Sequence, residues 1–148
     1  MSIPTQQALT EERVRAMARD WYQALDRHDP VEDVLPYLVT DGLVMVFPEA
    51  TLRGLDDFRG WYRTVTHRFF DEVHELDEVT VRFDEAGVAH TRVVVRWEAT
   101  VWDAPAARST WLGFTATQTW EVVAGDGVPK IRRYVVDELD PMPGSAAL

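Results

Sequence analysis

Cysteine is absent from all 148 residues, which excludes disulfides, thiolate metal sites and cysteine nucleophiles and leaves histidine and carboxylate chemistry open. Basic residues are also in deficit, 15 against 25 acidic ones. The net charge of -10 sets up a field that repels phosphate backbones and anionic lipid headgroups. Neither nucleic acid nor a membrane is an expected partner. No apolar run reaches the ~18 residues of a membrane span, and the opening Met1-Ser2-Ile3-Pro4 has neither the basic nor the apolar part of a secretion leader. A cytoplasmic location is the expectation. What is present is globular in character, 46% hydrophobic and 27% charged. The length fits a single domain over residues 1–148, with an ordered core from about residue 8 to about residue 140.

Thr10 followed by Glu11 and Glu12 offers a capping oxygen and two first-turn carboxylates, so a helix should begin near residue 11. Val14, Met17, Ala18, Trp21, Ala24 and Leu25 recur three and four residues apart and make its buried face. Asp29-Pro30 reads as a second start, with Asp29 the cap of a short helix to about Leu38 that Pro36 distorts. Residues 43–47 suit a short strand between Gly42 and Pro48. After Gly54 a third helix, capped by Asp56, carries Phe58, Trp61, Tyr62, Val65, Phe69 and Phe70 to about residue 70. The period then changes to two. Strands are expected at about 73–84, 88–102, 110–124 and 130–138, turning at Asp84-Glu85-Ala86-Gly87 and at Ala124-Gly125-Asp126-Gly127. Helices followed by an antiparallel meander define an α+β class.

Alternation sorts the strand faces. Val93, Val95, Trp97, Ala99 and Val101 share one face, as do Phe114, Ala116, Gln118, Trp120 and Val122, while Arg92, Arg96 and Glu98 point the other way. In the strand at 73–84, His74 and Leu76 share one face but Val79, Val81 and Phe83 fall on the opposite one. A bulge between them is required to bring both sets inward. A curved sheet closed by about three helices encloses more space than its side chains fill, so a pocket is expected.

Leu25-Asp26-Arg27-His28-Asp29, Tyr37-Leu38-Val39-Thr40-Asp41, the Arg53-Gly54 turn and the closing Trp120…Lys130-Ile131 hairpin together resemble the nuclear-transport-factor-2-like superfamily, in its SnoaL-like branch. The resemblance covers nearly the whole chain. It implies a cone-shaped half-barrel, with the helices packed on a strongly curved antiparallel or mixed sheet around a pocket, and pairing of two copies through the outer sheet face. The superfamily includes cyclases, dehydratases, isomerases, epoxide hydrolases and non-catalytic binding or dimerisation modules, and fold alone does not choose among them. At the positions of the ketosteroid isomerase machinery stand Phe47 for the base, Trp21 for the tyrosine and Gln118 for the acid. Phenylalanine takes no proton, so that mechanism is not expected, although a Gln118 amide can still bond a carbonyl or enolate oxygen. Arg96-x-Glu98 is superficially similar to the Arg-x-Asp pair of limonene epoxide hydrolases, but alternation turns it to the outer face. His74 lies close to the cavity histidine of scytalone dehydratase.

The candidate site follows from these readings. His74 is the acid/base candidate, with a surface or merely hydrogen-bonded histidine as the alternative, and Gln118 is the polar anchor. Trp21, Met45, Phe47, Tyr62, Trp97, Trp120 and Tyr134 are expected to line the pocket and to suit a small hydrophobic or aromatic ligand. His90 reads as solvated, Asp20 and Asp41 as structural, and of Arg132-Arg133 only one can face inward on an alternating strand. His67, Asp71 and His74 would share a face at i, i+4 and i+7 on a continued helix, a set able to hold a divalent metal. Their polarity beside an apolar stripe reads instead as a solvated face, and no metal or organic cofactor is expected. Two functions fit. One is an enzyme moving protons on a hydrophobic, ring-bearing carbonyl compound by cyclase, dehydratase or isomerase chemistry; the other is a non-catalytic ligand-binding or dimerisation module.

Overall fold

Thr10 Oγ1 accepts the Arg13 backbone N–H at 3.1 Å, and with Glu11 and Glu12 behind it the first helix starts where those residues place it. The computed structural model of the chain describes residues 9–148; the reading of the opening residues falls outside them. Helix α1 (Glu11–Asp26) buries Val14, Met17, Ala18, Trp21, Ala24 and Leu25, and Tyr22 besides. It ends in a double closure: the His28 N–H donates to the Leu25 carbonyl and the Asp29 N–H to the Ala24 carbonyl. That closure puts His28 at φ 53°, where glycine is the usual residue.

The second helix differs from expectation. Pro30, not Asp29, occupies the cap, and it makes no side-chain hydrogen bond. Helix α2 covers only Val31–Val34 before a 3₁₀ turn over Leu35–Tyr37, because the ring and missing N–H of Pro36 resist a continued α-helix. Strand β1 (Val44–Val46) pairs antiparallel with β2 (Thr51–Arg53), a three-residue strand too short for its alternation to register in the sequence. Helix α3 runs Gly54–Arg68, and Asp57 rather than Asp56 takes the Arg53 N–H at 2.8 Å. It stops two residues early, so that Phe70 opens β3 and lies exposed.

Strands β3 (Phe70–Phe83), β4 (Ala89–Val101), β5 (Thr110–Gly125) and β6 (Val128–Pro141) form the meander. The sheet order is β2-β1-β6-β5-β4-β3, with β1 parallel to β6 and every other pair antiparallel. This is a mixed, open, six-stranded sheet under three helices. The Asp126-Gly127 turn has both residues left-handed, as a two-residue hairpin of native twist demands. The bulge required in β3 is present. Leu76 opposes Val95 and Glu78 opposes Val94, so Asp77 is the extra residue and His74, Leu76, Val79 and Val81 all turn inward.

The main core lies between the sheet and α1 and α3, around Trp21, Phe58, Met45, Trp120 and Ile131. A smaller cluster of Val101, Leu112 and Phe114, flanked by Phe69 and Trp97, sits at the other end of the long strands. Among the described residues no helix is long and apolar enough to cross a membrane.

Candidate active site

The end of α1 packs against the first half of β3, and this seam carries the chemistry. His74 Nδ1 lies 2.5 Å from Asp26 Oδ1, and the His74 backbone N–H donates to Asp26 Oδ2 at 2.9 Å. One carboxylate thus grips both the ring and the backbone of the histidine, which fixes the imidazole and assigns its proton to Nδ1. The other ring nitrogen, Nε2, has no partner among the described residues, and the side chain keeps 12% exposure. The ring is stacked on Tyr22 at 4.6 Å between centroids and lies nearly parallel to Trp97 at 6.3 Å.

A second histidine–carboxylate contact crosses the same seam in the opposite sense. His28, just past α1, places Nε2 2.5 Å from Glu72 Oε2 on β3. Glu72 is 9% exposed, and its other oxygen accepts the Trp97 indole N–H at 3.0 Å. Tyr62 stands nearby from α3 and donates its hydroxyl proton to the Asp29 carbonyl at 2.5 Å. Burial first, and then the charges of Asp29 and Glu72, push this phenol up to about 12.

Tyr22 connects this seam to the interior. Its hydroxyl donates to Gln118 Oε1 at 3.2 Å, and Trp120 Nε1 donates to the same oxygen at 2.8 Å. Because the Tyr22 proton is committed to Gln118, the 3.1 Å contact with Tyr134 must be a donation from Tyr134 to Tyr22. The Gln118 oxygen is thereby doubly occupied. Its amide also interacts with the Tyr134 hydroxyl, and the residue keeps 4% exposure beside a fully buried Trp120. Burial holds the Tyr22 hydroxyl well above the ordinary phenol value and raises Tyr134 as well.

A family model described as a SnoaL-like domain matches residues 18–134. The chain belongs to the SnoaL-like family. A search of the curated proteins returns no match. Among solved structures, the chain is similar to a proposed aromatic ring hydroxylase from Novosphingobium aromaticivorans (TM-score 0.77, 17% identity, covering 89% of this chain and 92% of that one). It is similar to a proposed scytalone dehydratase of the same organism (TM-score 0.70, 19% identity, 93% and 88% covered). The hexachlorocyclohexane dehydrochlorinase LinA-type3 from Novosphingobium barchaimii LL02 is a third (TM-score 0.72, 16% identity, 93% and 92% covered). At such identities these likenesses establish the fold.

Within this SnoaL-like frame the residues singled out in the sequence divide into groups. His74 and Gln118 do not meet directly; Tyr22 stands between them, stacked on one and bonded to the other. Trp21, Met45, Trp120 and Tyr134 converge, but as core, with Trp120 on Tyr134 at 5.1 Å and Trp21 6.0 Å from both Tyr134 and Phe58. Phe47 stacks on Trp61 at 4.3 Å and lies 5.4 Å from Tyr134, so it joins the same core, and of the expected lining residues only Trp97 and Tyr62 stand beside His74's seam. The expected aromatic wall therefore exists but is folded on itself, since large rings fill the space between helices and sheet. A groove of about 400 Å³ lies elsewhere, outside α1, against Met17, Asp20, Tyr37 and Pro129.

Other expectations resolve locally. His67, Asp71 and His74 do not share a helix face, because α3 ends at Arg68; His67 bonds the Arg63 carbonyl instead. His90 is tied to Asp84 at 2.8 Å rather than free in solvent. Neither Arg132 nor Arg133 faces inward: a bulge at Glu121/Val122 turns both out, and Arg132 pairs with Glu121. Arg96 pairs with Asp77 and Glu75, as an outer-face residue should. The sequence reading missed Asp26, Glu72, His28 and Tyr22 as site residues. Strand parity puts Glu72 on the same face as His74, but only the packing of α1 on the sheet brings that face to Asp26 and His28.

Proposed function

We propose that this SnoaL-like protein is a cofactor-independent enzyme that moves a proton on a hydrophobic, ring-bearing carbonyl compound, in a reaction of the cyclase, dehydratase or isomerase type. The observation that carries this reading is the His74–Asp26 pair, with Nδ1 held by a carboxylate and Nε2 unpaired. His74 Nε2 takes the proton from the carbon next to the carbonyl, and Asp26 stabilises the imidazolium that forms and keeps the ring aimed. Gln118, on the far side of Tyr22, is the proposed polar anchor for the oxygen-bearing end of the ligand. The imidazolium then returns the proton to another carbon, or to a departing hydroxyl, which leaves as water. The ligand would enter along the seam where Trp97 and His74 retain partial exposure.

The test is exchange of deuterium from D2O into the acidic ring positions of 2-tetralone, followed by NMR. Wild-type protein is expected to accelerate exchange, and His74→Ala and Asp26→Asn to lose about 10²- to 10⁴-fold, the range of acid–base contributions. Unchanged exchange in His74→Ala removes the proposed base.

A second reading, a non-catalytic ligand-binding or dimerisation module, is favoured by the close packing of Trp21, Trp120 and Tyr134. In it Gln118 only orients a small hydrophobic or aromatic ligand, which would dissociate chemically unchanged. Under either reading the outer face, with Arg92, Arg96, Glu98 and the Thr115, Thr117, Thr119 row, is proposed to pair two copies. Sedimentation that gives a monomer at micromolar concentration counts against that pairing.

A further inference from the structure

His28 occupies a helix stop at which glycine adopts the left-handed conformation without steric conflict, yet the residue is histidine at φ 53°. Asp71, immediately before Glu72, is also left-handed, at φ 51°. The remaining non-glycine residue of this kind among those described, Asp126, sits in a tight hairpin turn where its conformation is required. His28 and Asp71 instead launch the two sides of one contact. Backbone conformations of this kind persist where surrounding contacts over-determine them, and they gather at working sites.

The contact they serve joins three groups in a row. His28 Nε2 meets Glu72 Oε2 at 2.5 Å, and Glu72 Oε1 receives the Trp97 indole N–H at 3.0 Å. The Trp97 ring in turn lies nearly parallel to the His74 ring, at 6.3 Å and 23°. His28 and Asp26 are two apart at the end of α1, and Glu72 and His74 are two apart on β3. The two histidine–carboxylate contacts are therefore neighbouring rungs across one seam, each with its acid and its base on opposite sides.

We infer that His28 and Glu72 are positioning residues for the His74 site, holding the Trp97 indole as the wall against which the His74 ring and a bound substrate lie. The inference rests on the reading of His74 as the base. A helix stop that needed only to close would be served by glycine, and a Trp97 that needed only to be buried would be served by any acceptor. Tying the indole to a carboxylate that is itself gripped from α1 fixes the wall to the same helix end that supplies Asp26 to His74.

The decisive variant is His28→Gly, with Glu72→Gln beside it. Glycine keeps the helix stop and relieves its backbone, so a purely structural role predicts an unchanged or raised Tm and unaltered exchange into 2-tetralone. The positioning role predicts the same Tm with kcat for exchange lowered about 10- to 100-fold, the cost of a misplacement near 1 Å, and KM within about threefold. It also predicts displacement of the Trp97 indole N–H resonance in ¹⁵N spectra. Glu72→Gln retains an oxygen for Trp97 and should fall between wild type and His28→Gly. Wild-type kcat together with an unmoved indole resonance in His28→Gly overturns the inference. Should wild-type protein itself fail to exchange 2-tetralone, the base reading falls on its own. The Trp97 indole and His74 ring resonances of His28→Gly then decide positioning separately, supporting it if displaced and refuting it if unmoved.

Discussion

The Tyr22 hydroxyl donates to Gln118 and accepts from Tyr134 while its ring lies on His74, so two substitutions at one position separate its polar and apolar roles. Tyr22→Phe keeps the ring and removes the oxygen. Tyr134 then loses its acceptor and Gln118 one of its two donors, both in the buried interior, which should cost about 1–3 kcal/mol of stability in denaturant unfolding. The His74 stack survives, and deuterium exchange should stay within a few-fold of wild type. Tyr22→Leu removes the stack as well and should lower exchange by a much larger factor. Equal exchange rates in the two variants would show that the ring does not support His74. The indole N–H groups illustrate the same accounting: Trp61, Trp97, Trp102, Trp111 and Trp120 each donate to an oxygen, and the fully buried Trp21 indole N–H, near Tyr134, makes no hydrogen bond of normal geometry among the described residues.

At the scale of elements, the β3 bulge decides which side chains reach the site. Asp77 is the extra residue, and without it a straight strand could not turn His74 and Val79 to the same face. Deleting Asp77 should either flip the first half of β3, driving Glu75 inward and His74 outward, or unpair it. Both are expected to cost several kcal/mol, because a flipped Glu75 carboxylate would be buried without a partner, and both should abolish exchange. Asp77→Ala, by contrast, keeps the bulge and loses only an exposed ion pair with Arg96, worth about 1 kcal/mol or less. Similar melting temperatures for the two variants would contradict this account. The bulge was legible from parity alone, and so were α1, the four long strands and their inward faces, because period and capping act over many residues. Strand β2 was not, since three residues hold no period. Asp26 and Glu72 were not either: their roles depend on how α1 crosses the sheet, and local sequence carries no record of that angle. How the interior rings pack was not legible for a related reason. Helical spacing identifies Trp21, and strand alternation Trp120, as inward-facing, but neither says whether the rings line a space or fill it.

For the molecule as a whole, the tyrosines report how strongly the fold depends on burying neutral polar groups. Tyr22 and Tyr134 are raised above the ordinary phenol value by burial, and Tyr62 is pushed up to about 12 by burial together with Asp29 and Glu72. A folded-state value above the unfolded one means that the unfolded chain releases its phenolic protons first. Stability is therefore intact below about pH 10, the unfolded phenol value, and is lost as pH rises from there toward the folded values. The guanidinium unfolding midpoint should stay level from about pH 8 to about pH 9.5 and then fall. Tyr22→Phe should make that fall shallower despite its lower starting stability, because one of the groups that ionises on unfolding is gone. The net charge of -10 acts in the same direction, since each tyrosinate formed adds to an existing excess of negative charge, and raising salt should flatten the alkaline slope in both proteins. A midpoint that stays level to about pH 11 would mean that the Tyr22, Tyr134 and Gln118 network admits water and ionises in the folded state. The interior would then be an open cavity rather than a packed core, and the ligand would be expected there instead of along the seam.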